Sequence, residues 1–181
     1  GRLALAESRA VAVPFPEELE LIDGVLGYPL FAQYVVTLDY AGEAVTLTPP
    51  ETFQPPKAAI ALPLQLNNGM AQIEIKLDGR KLRVDLDTGD GGILTVNAPY
   101  VAKNKIIEAY PKAVMVPTGK SVGGLTYGRL ARARELQMGP FRMAQPIVAL
   151  SESKAGAEAN EKSDGRMGAE IFSRFTVHFD Y

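Results

Sequence analysis

The stretch LRVDLDTGDGGIL, residues 82–94, runs an alternating segment straight into a turn crowded with glycines and carboxylates. Leu82, Val84 and Leu86 alternate with Arg83, Asp85 and Asp87, the period of two of a strand with one apolar face. Asp85 then falls on the solvent face, and Asp87 stands where the strand gives way to the turn. Two readings are open for Asp87: a turn aspartate that accepts backbone N–H groups, or a carboxylate presented for chemistry at a strand end.

The flanking sequence is rich in short strands. Ile60, Leu62, Leu64 and Leu66 alternate as far as Asn67-Asn68-Gly69, and Ile73, Ile75 and Leu77 alternate as far as Asp78-Gly79, a strong two-residue hairpin signal. Beyond the opening stretch, residues 93–97 read as a further strand. Residues 98–110 read as a helix, with Asn97 as N-cap, Pro99 in the first turn and Pro111 as the stop. Residues 112–140 predict a long hairpin with its glycine-rich tip near Gly119 to Gly124. A strand over 141–150, a polar loop over 151–163, two helical turns over 168–175 and a last strand over 176–181 complete the pattern. Many short strands with few helices predict an all-β barrel or sandwich.

The chain also repeats itself. DGVLGYPLFAQYVVTLDY (23–40) aligns without gaps to DGRMGAEIFSRFTVHFDY (164–181), with seven of eighteen positions identical. Upstream in each copy, GRLALA (1–6) matches GRLARA (128–133), so order is preserved. The repeat is far too long for a solenoid and predicts a two-lobed arrangement instead. Residues 1–50 read as the C-terminal half of a first lobe, 51–57 as a stiff Pro-rich linker, and 58–181 as a second lobe. On this reading the chain begins inside one lobe of a longer protein.

With 181 residues, 46% hydrophobic and 22% charged, the chain has the composition of a globular protein with a real core. Its net charge of −2, without a long basic run, excludes a phosphate-backbone partner as an expectation. The absence of cysteine removes disulfide frameworks and thiolate metal sites. The most apolar stretch, residues 25–36, is about half the length of a membrane span and contains Pro29 and Gln33. The first ten residues carry no signal-peptide pattern.

Taken with Met167-Gly168 ahead of a short helical segment, the strand, Asp87-Thr88-Gly89 turn and glycine-tipped hairpin resemble the retropepsin-like aspartic proteases. They resemble most the bacterial aspartyl-protease-like proteins with two such units in tandem, often ahead of a PDZ domain. Val25-Leu26-Gly27 is the matching second-loop element of the first copy. The resemblance implies an all-β, closed-barrel lobe with short helices, and hydrolysis of an extended peptide by a water activated between two carboxylates. Asp87, Thr88 and Gly89 would be catalytic: Asp87 as half of the pair, Thr88 bonding across to a facing loop, Gly89 letting the turn donate its N–H. Gly119, Gly123 and Gly124 of the hairpin flap, with Asp90 and Gly168, would border the peptide. It implies no metal or organic cofactor, and an extracytoplasmic setting.

Only one Asp-Thr-Gly occurs here, so the second carboxylate has to come from the upstream part of the first copy or from a second chain. The chain alone would be inactive unless two copies meet. Two positions depart from the family pattern: Asp90 replaces a small residue after Asp-Thr-Gly, and Arg166 takes the first apolar slot before Met167-Gly168. Asp90 and the single Asp-Thr-Gly motivate a second function class, a degenerate lobe that grips peptide or packs on its sister without cutting. A phosphatase is a remote third, because the same stretch is close to an Asp-x-Asp-Gly-Thr loop with Thr and Gly transposed. Other look-alikes fail: Thr118-Gly119-Lys120-Ser121 lacks the earlier P-loop glycine, Val114 standing there. As a calcium loop, residues 85–96 place Gly89 and Val96 where ligands are needed. Gly123-Gly124 is equally readable as a plain flexible loop, Asp39 and Asp180 as strand-end contacts, and His178, the sole histidine, as exposed.

Overall fold

The structure is a computed structural model that describes residues 24–121 and 124–181. Gly123, one of the hairpin glycines, lies outside the described residues. The described chain divides into two compact units, one holding residues 24–57 with Thr176–Tyr181, the other Ala58–Phe175. None of the described helices is long and apolar enough to cross a membrane.

The first unit begins with the single-turn helix α1 (Tyr28–Phe31), entered through extended Gly27 with Pro29 in its first turn. Strands β1 (Val35–Asp39) and β2 (Ala44–Thr48) follow as an antiparallel pair. The third strand of this sheet comes from the other end of the chain, Thr176–Phe179, so the order is this strand, β1, β2. Sequence alone places Thr176–Phe179 at the end of the second lobe; its backbone instead pairs with β1, antiparallel. Phe31 packs edge-on against Phe179 and Tyr181, centroids 5.6 Å apart in each case.

The register of that pairing carries information. Thr37 lies opposite His178, and the Thr37 hydroxyl and His178 Nδ1 are 2.7 Å apart. These two residues are 141 positions apart, the offset of the sequence repeat. Each is therefore the other's repeat counterpart. Val36 opposite Phe179 maps onto Val177 opposite Leu38 by the same offset. An antiparallel ladder that pairs a residue with its own counterpart has a local two-fold axis through that pair.

The second unit is one long sheet. Its strands are β3 (Gln65–Asn67), β4 (Met70–Leu77), β5 (Arg80–Leu86), β6 (Leu94–Val96), β7 (Val114–Ser121), β8 (Gly124–Arg132), β9 (Glu135–Met138), β10 (Phe141–Ala144), β11 (Ile147–Ser151) and β12 (Gly165–Met167). Helix α2 (Ala98–Lys103) follows β6, and helix α3 (Ala169–Phe172) follows β12. Strand β13 is the Thr176–Phe179 segment of the first unit. Neighbours run β10-β9-β4-β5-β12-β6-β11-β8-β7, with β3 on β4. Among the described residues this path has two ends, β10 and β7, so closure of the expected barrel is not made by a hydrogen-bonded strand pair. Ile75, Leu82, Val84, Val96, Val148, Leu150 and Met167 are almost fully buried and form the core.

The expected hairpin turn at Asp78-Gly79 forms with both residues at positive φ, as a two-residue turn between twisted strands requires. The predicted hairpin is β7–β8, with an irregularity between Pro117 and Gly119. Four elements differ from the sequence expectation. Of the alternating residues 60–66, only the last part is strand. The helix expected over 98–110 stops at Lys103, because Lys105 turns left-handed (φ 49°) before a single 3-10 turn, Ile106–Ala109. Asn97 sits at the N-cap position, but its side chain donates to the Ser163 carbonyl (3.0 Å) and hydroxyl (3.1 Å) instead of capping. The strand expected over 141–150 is split into β10 and β11 at Gln145, also at positive φ.

Asp78 fastens the β4–β5 turn to the start of β9. Its Oδ1 accepts the Arg134 and Glu135 backbone N–H groups (2.8 and 2.9 Å), and its Oδ2 accepts the Tyr110 hydroxyl (3.0 Å). Burial, then the hydrogen bond and charge of Asp78, raise the Tyr110 phenol above the ordinary tyrosine range. The folded chain thus holds this proton more tightly than the unfolded chain, whose tyrosines titrate near 10. That stabilisation is present below pH ~10 and is lost as pH rises toward the folded value. Urea unfolding at pH 8, 10 and 11 should show stability falling over the last step, and Tyr110→Phe should shallow that fall.

Candidate active site

Strand β12 is the key to the site. It lies between β5 and β6, parallel to β5 and antiparallel to β6. Because β5 and β6 are not neighbours, the loop that joins them, residues 87–93, has to pass over the end of β12. Asp87 N–H donates to the Met167 carbonyl (2.9 Å), extending the β5–β12 ladder by one bond. On the far side, the N–H groups of Gly168, Ala169 and Glu170 donate to the carbonyls of Ile93, Asp90 and Gly92. The loop's carbonyls thereby satisfy the N–H groups at the start of α3 that have no partner within the helix.

Close passage explains Gly168. A Cβ there would lie 2.4 Å from the Gly92 carbonyl oxygen and 2.6 Å from that of Asp90, both backbone atoms that cannot swing away. Its counterpart Gly27 has nothing within 4 Å of an added Cβ among the described residues, yet precedes a helix of the same length in the same extended conformation.

Within the loop, Gly89 N–H donates to Asp87 Oδ1 (3.0 Å) and Gly92 N–H donates to Asp90 Oδ1 (2.8 Å), two successive aspartate turns. Each carboxylate is left with Oδ2 to spend elsewhere. Arg166, on β12, supplies the partner: its Nε donates to Asp90 Oδ2 at 2.7 Å and lies 3.6 Å from Asp87 Oδ2. Its Nη2 lies 3.8 Å from Oε1 of Glu158. Glu158 is buried, and its Oε2 accepts the hydroxyls of Ser151 (2.6 Å) and Ser153 (3.2 Å). Burial opposes the Arg166 charge, but the hydrogen bond and charge of Asp90, with Asp87 and Glu158, outweigh it and hold the guanidinium above its ordinary pKa. Side-chain exposures of 36% for Asp87, 18% for Asp90 and 24% for Arg166 leave the cluster reachable from solvent.

Among the candidate residues, Asp87, Gly89, Asp90 and Gly168 are thus brought together. Thr88 is exposed and its side chain makes no hydrogen bond among the described residues. Gly119 and Gly124 lie on the β7–β8 hairpin, and no hydrogen bond or ion pair links them to the cluster among the described residues. Asp85 is not on a solvent face. It is buried, and its two oxygens accept Gln72 Nε2 and the Ser163 hydroxyl, both at 2.7 Å. Alternation fails there because the loop ending at Ser163 covers that face of the sheet. Two features of the site escape sequence reasoning, the pairing of Arg166 with Asp90 and the presence of Glu158. The first was visible only as two separate oddities, and the second sits in a segment that reads as a polar loop.

No protein-family model matches the chain, and no curated protein sequence matches it. Among solved structures, the chain is similar to a retropepsin-like aspartic protease from Rickettsia conorii, at 11% identity and a TM-score of 0.44, over 63% of this chain and 78% of that one.

Gly168→Ala should cost about 1–3 kcal/mol of stability, the usual range for overpacking against atoms that cannot move. Equilibrium urea unfolding measures it. Gly27→Ala, with nothing within 4 Å of the added methyl, should cost distinctly less.

Proposed function

We propose that this chain carries one half of a two-carboxylate peptide hydrolase, with Asp87 as one of the two acids. The mate is the counterpart of Asp87 in the first repeat, upstream of residue 1, or Asp87 of a second copy. In such a pair one carboxylate takes a proton from water while the other, protonated, donates to the peptide carbonyl. Asp87 has one oxygen held by Gly89 N–H, while the other makes no hydrogen bond among the described residues and lies 3.6 Å from Arg166 Nε, which leaves it able to meet a mate across a water.

The observation that carries this proposal is the turn at the end of β5, where Gly89 N–H holds Asp87 Oδ1 and leaves a carboxylate with 36% side-chain exposure. A shared-proton pair needs a second carboxylate close enough that the charge of one keeps the other protonated. The substrate class that fits is an extended peptide. A phosphatase of the type weighed above needs strands alternating with helices around a parallel sheet, whereas most ladders here are antiparallel.

One observation favours the second reading, a lobe that binds or packs without cutting. Arg166 Nε stands 3.6 Å from Asp87 Oδ2, an ion pair that ties Asp87 into the charge cluster of its own loop. Cleavage of an extended fluorogenic peptide by the full-length protein decides between them. The proposal expects pepstatin-sensitive turnover that falls at least about a thousandfold in Asp87→Asn, the scale of losing a catalytic acid–base group. Saturable peptide binding without turnover would favour the second reading, and unchanged cleavage by the mutant would remove Asp87 from the mechanism.

A further inference from the structure

Three carboxylates compete for the guanidinium of Arg166, and they do not share it equally. Asp90 holds Nε at 2.7 Å, a charge-assisted hydrogen bond. Asp87 stands at 3.6 Å from the same nitrogen, beyond hydrogen-bond reach. Glu158 stands at 3.8 Å from Nη2. Both competitors of Asp87 are pinned: Asp90 by the Gly92 N–H on its Oδ1, Glu158 by two serine hydroxyls on its Oε2. Each therefore has one oxygen left to face the arginine. A shift of Arg166 Nε of about 1 Å is enough to bring it within bonding distance of Asp87 Oδ2.

We infer that Asp90 is a positioning residue that draws Arg166 away from Asp87 and so leaves Asp87 Oδ2 without a hydrogen bond, free for its work. The inference rests on the reading of Asp87 as half of a catalytic pair. Asp90 and Arg166 then form one unit. Removing Asp90 alone releases the arginine onto Asp87, and removing both together returns the site to a small-residue and apolar pattern. Val25, the counterpart of Arg166 in the first repeat, shows what that second position holds without the charge.

Asp90→Asn is the informative variant, because the amide oxygen can still accept the Gly92 N–H while the charge is gone. In the full-length protein it should lower kcat at least about tenfold with KM changed less than about twofold, the signature of a lost transition-state interaction. Asp90→Asn/Arg166→Val should recover kcat to within about threefold of the wild type, a non-additivity that a purely structural role does not produce. Cleavage by Asp90→Asn at the wild-type rate would overturn the inference.

A second measurement stands apart from activity. Exchange of the Arg166 Nε–H, followed by NMR in arginine-labelled protein, should be slow in the wild type and remain slow in Asp90→Asn, where the bond passes to Asp87. It should become fast in Asp87→Asn/Asp90→Asn. Fast exchange in Asp90→Asn alone, or slow exchange in the double variant, would show that Asp87 does not receive the arginine. If the wild type cuts no peptide, the catalytic reading falls, and the exchange result alone judges whether Asp90 diverts the arginine.

Discussion

The second unit depends on one insertion: a three-residue strand, Gly165–Met167, wedged between two strands that are consecutive in the chain. Consecutive antiparallel strands usually pair directly through a tight turn. Here the intervening strand comes from about eighty residues later, and the 87–93 loop has to bridge it. Everything at the site follows from that bridge. Its backbone lies so close to Gly168 that no side chain fits, its carbonyls take up the first N–H groups of α3, and its aspartates are delivered to the one arginine on the inserted strand.

The electrostatics are economical. A lone Arg166 in this half-buried position would be costly, and so would a buried Glu158 without donors. Together with Asp90 and the two serines they form a satisfied network, which is the condition under which buried charge becomes tolerable and rigid. Two residues before Asp87, Asp85 is tied to Gln72 and Ser163 in the same manner. The end of the strand that leads into Asp87 is thereby tied by polar contacts to the 151–163 segment. A carboxylate that is to meet a mate at a defined distance benefits from such a support, since a displacement of an ångström is expensive in catalysis.

In the first unit the governing feature is symmetry. Duplicated sequence does not by itself require duplicated pairing, yet β1 and β13 meet at the register that makes counterparts opposite. The same offset relates α1 to α3, each a single turn entered through an extended glycine. Counterpart residues that oppose one another in an antiparallel ladder give that strand pair its own local two-fold.

Local pattern made much of this legible in advance. Alternation locates β4 and β5, the Asp-Gly pair locates their turn, the local residue pattern locates β6, α3 and β13, and the Asp-Thr-Gly turn is visible as a loop of unusual chemistry. These features are written within a few residues of one another, where propensity and period act. What stayed hidden was long-range. Asp85 looked exposed because alternation reports only which face a side chain takes, not whether a distant loop covers that face. Asn97 looked like a cap, until Ser163 offered its side chain better partners. Asp90 and Arg166 each broke a pattern when taken alone, and their meaning came from lying 2.7 Å apart, 76 positions distant in the chain. Pairing of that kind is decided by strand order, and strand order is a property of the whole backbone hydrogen-bond network, which no single segment encodes.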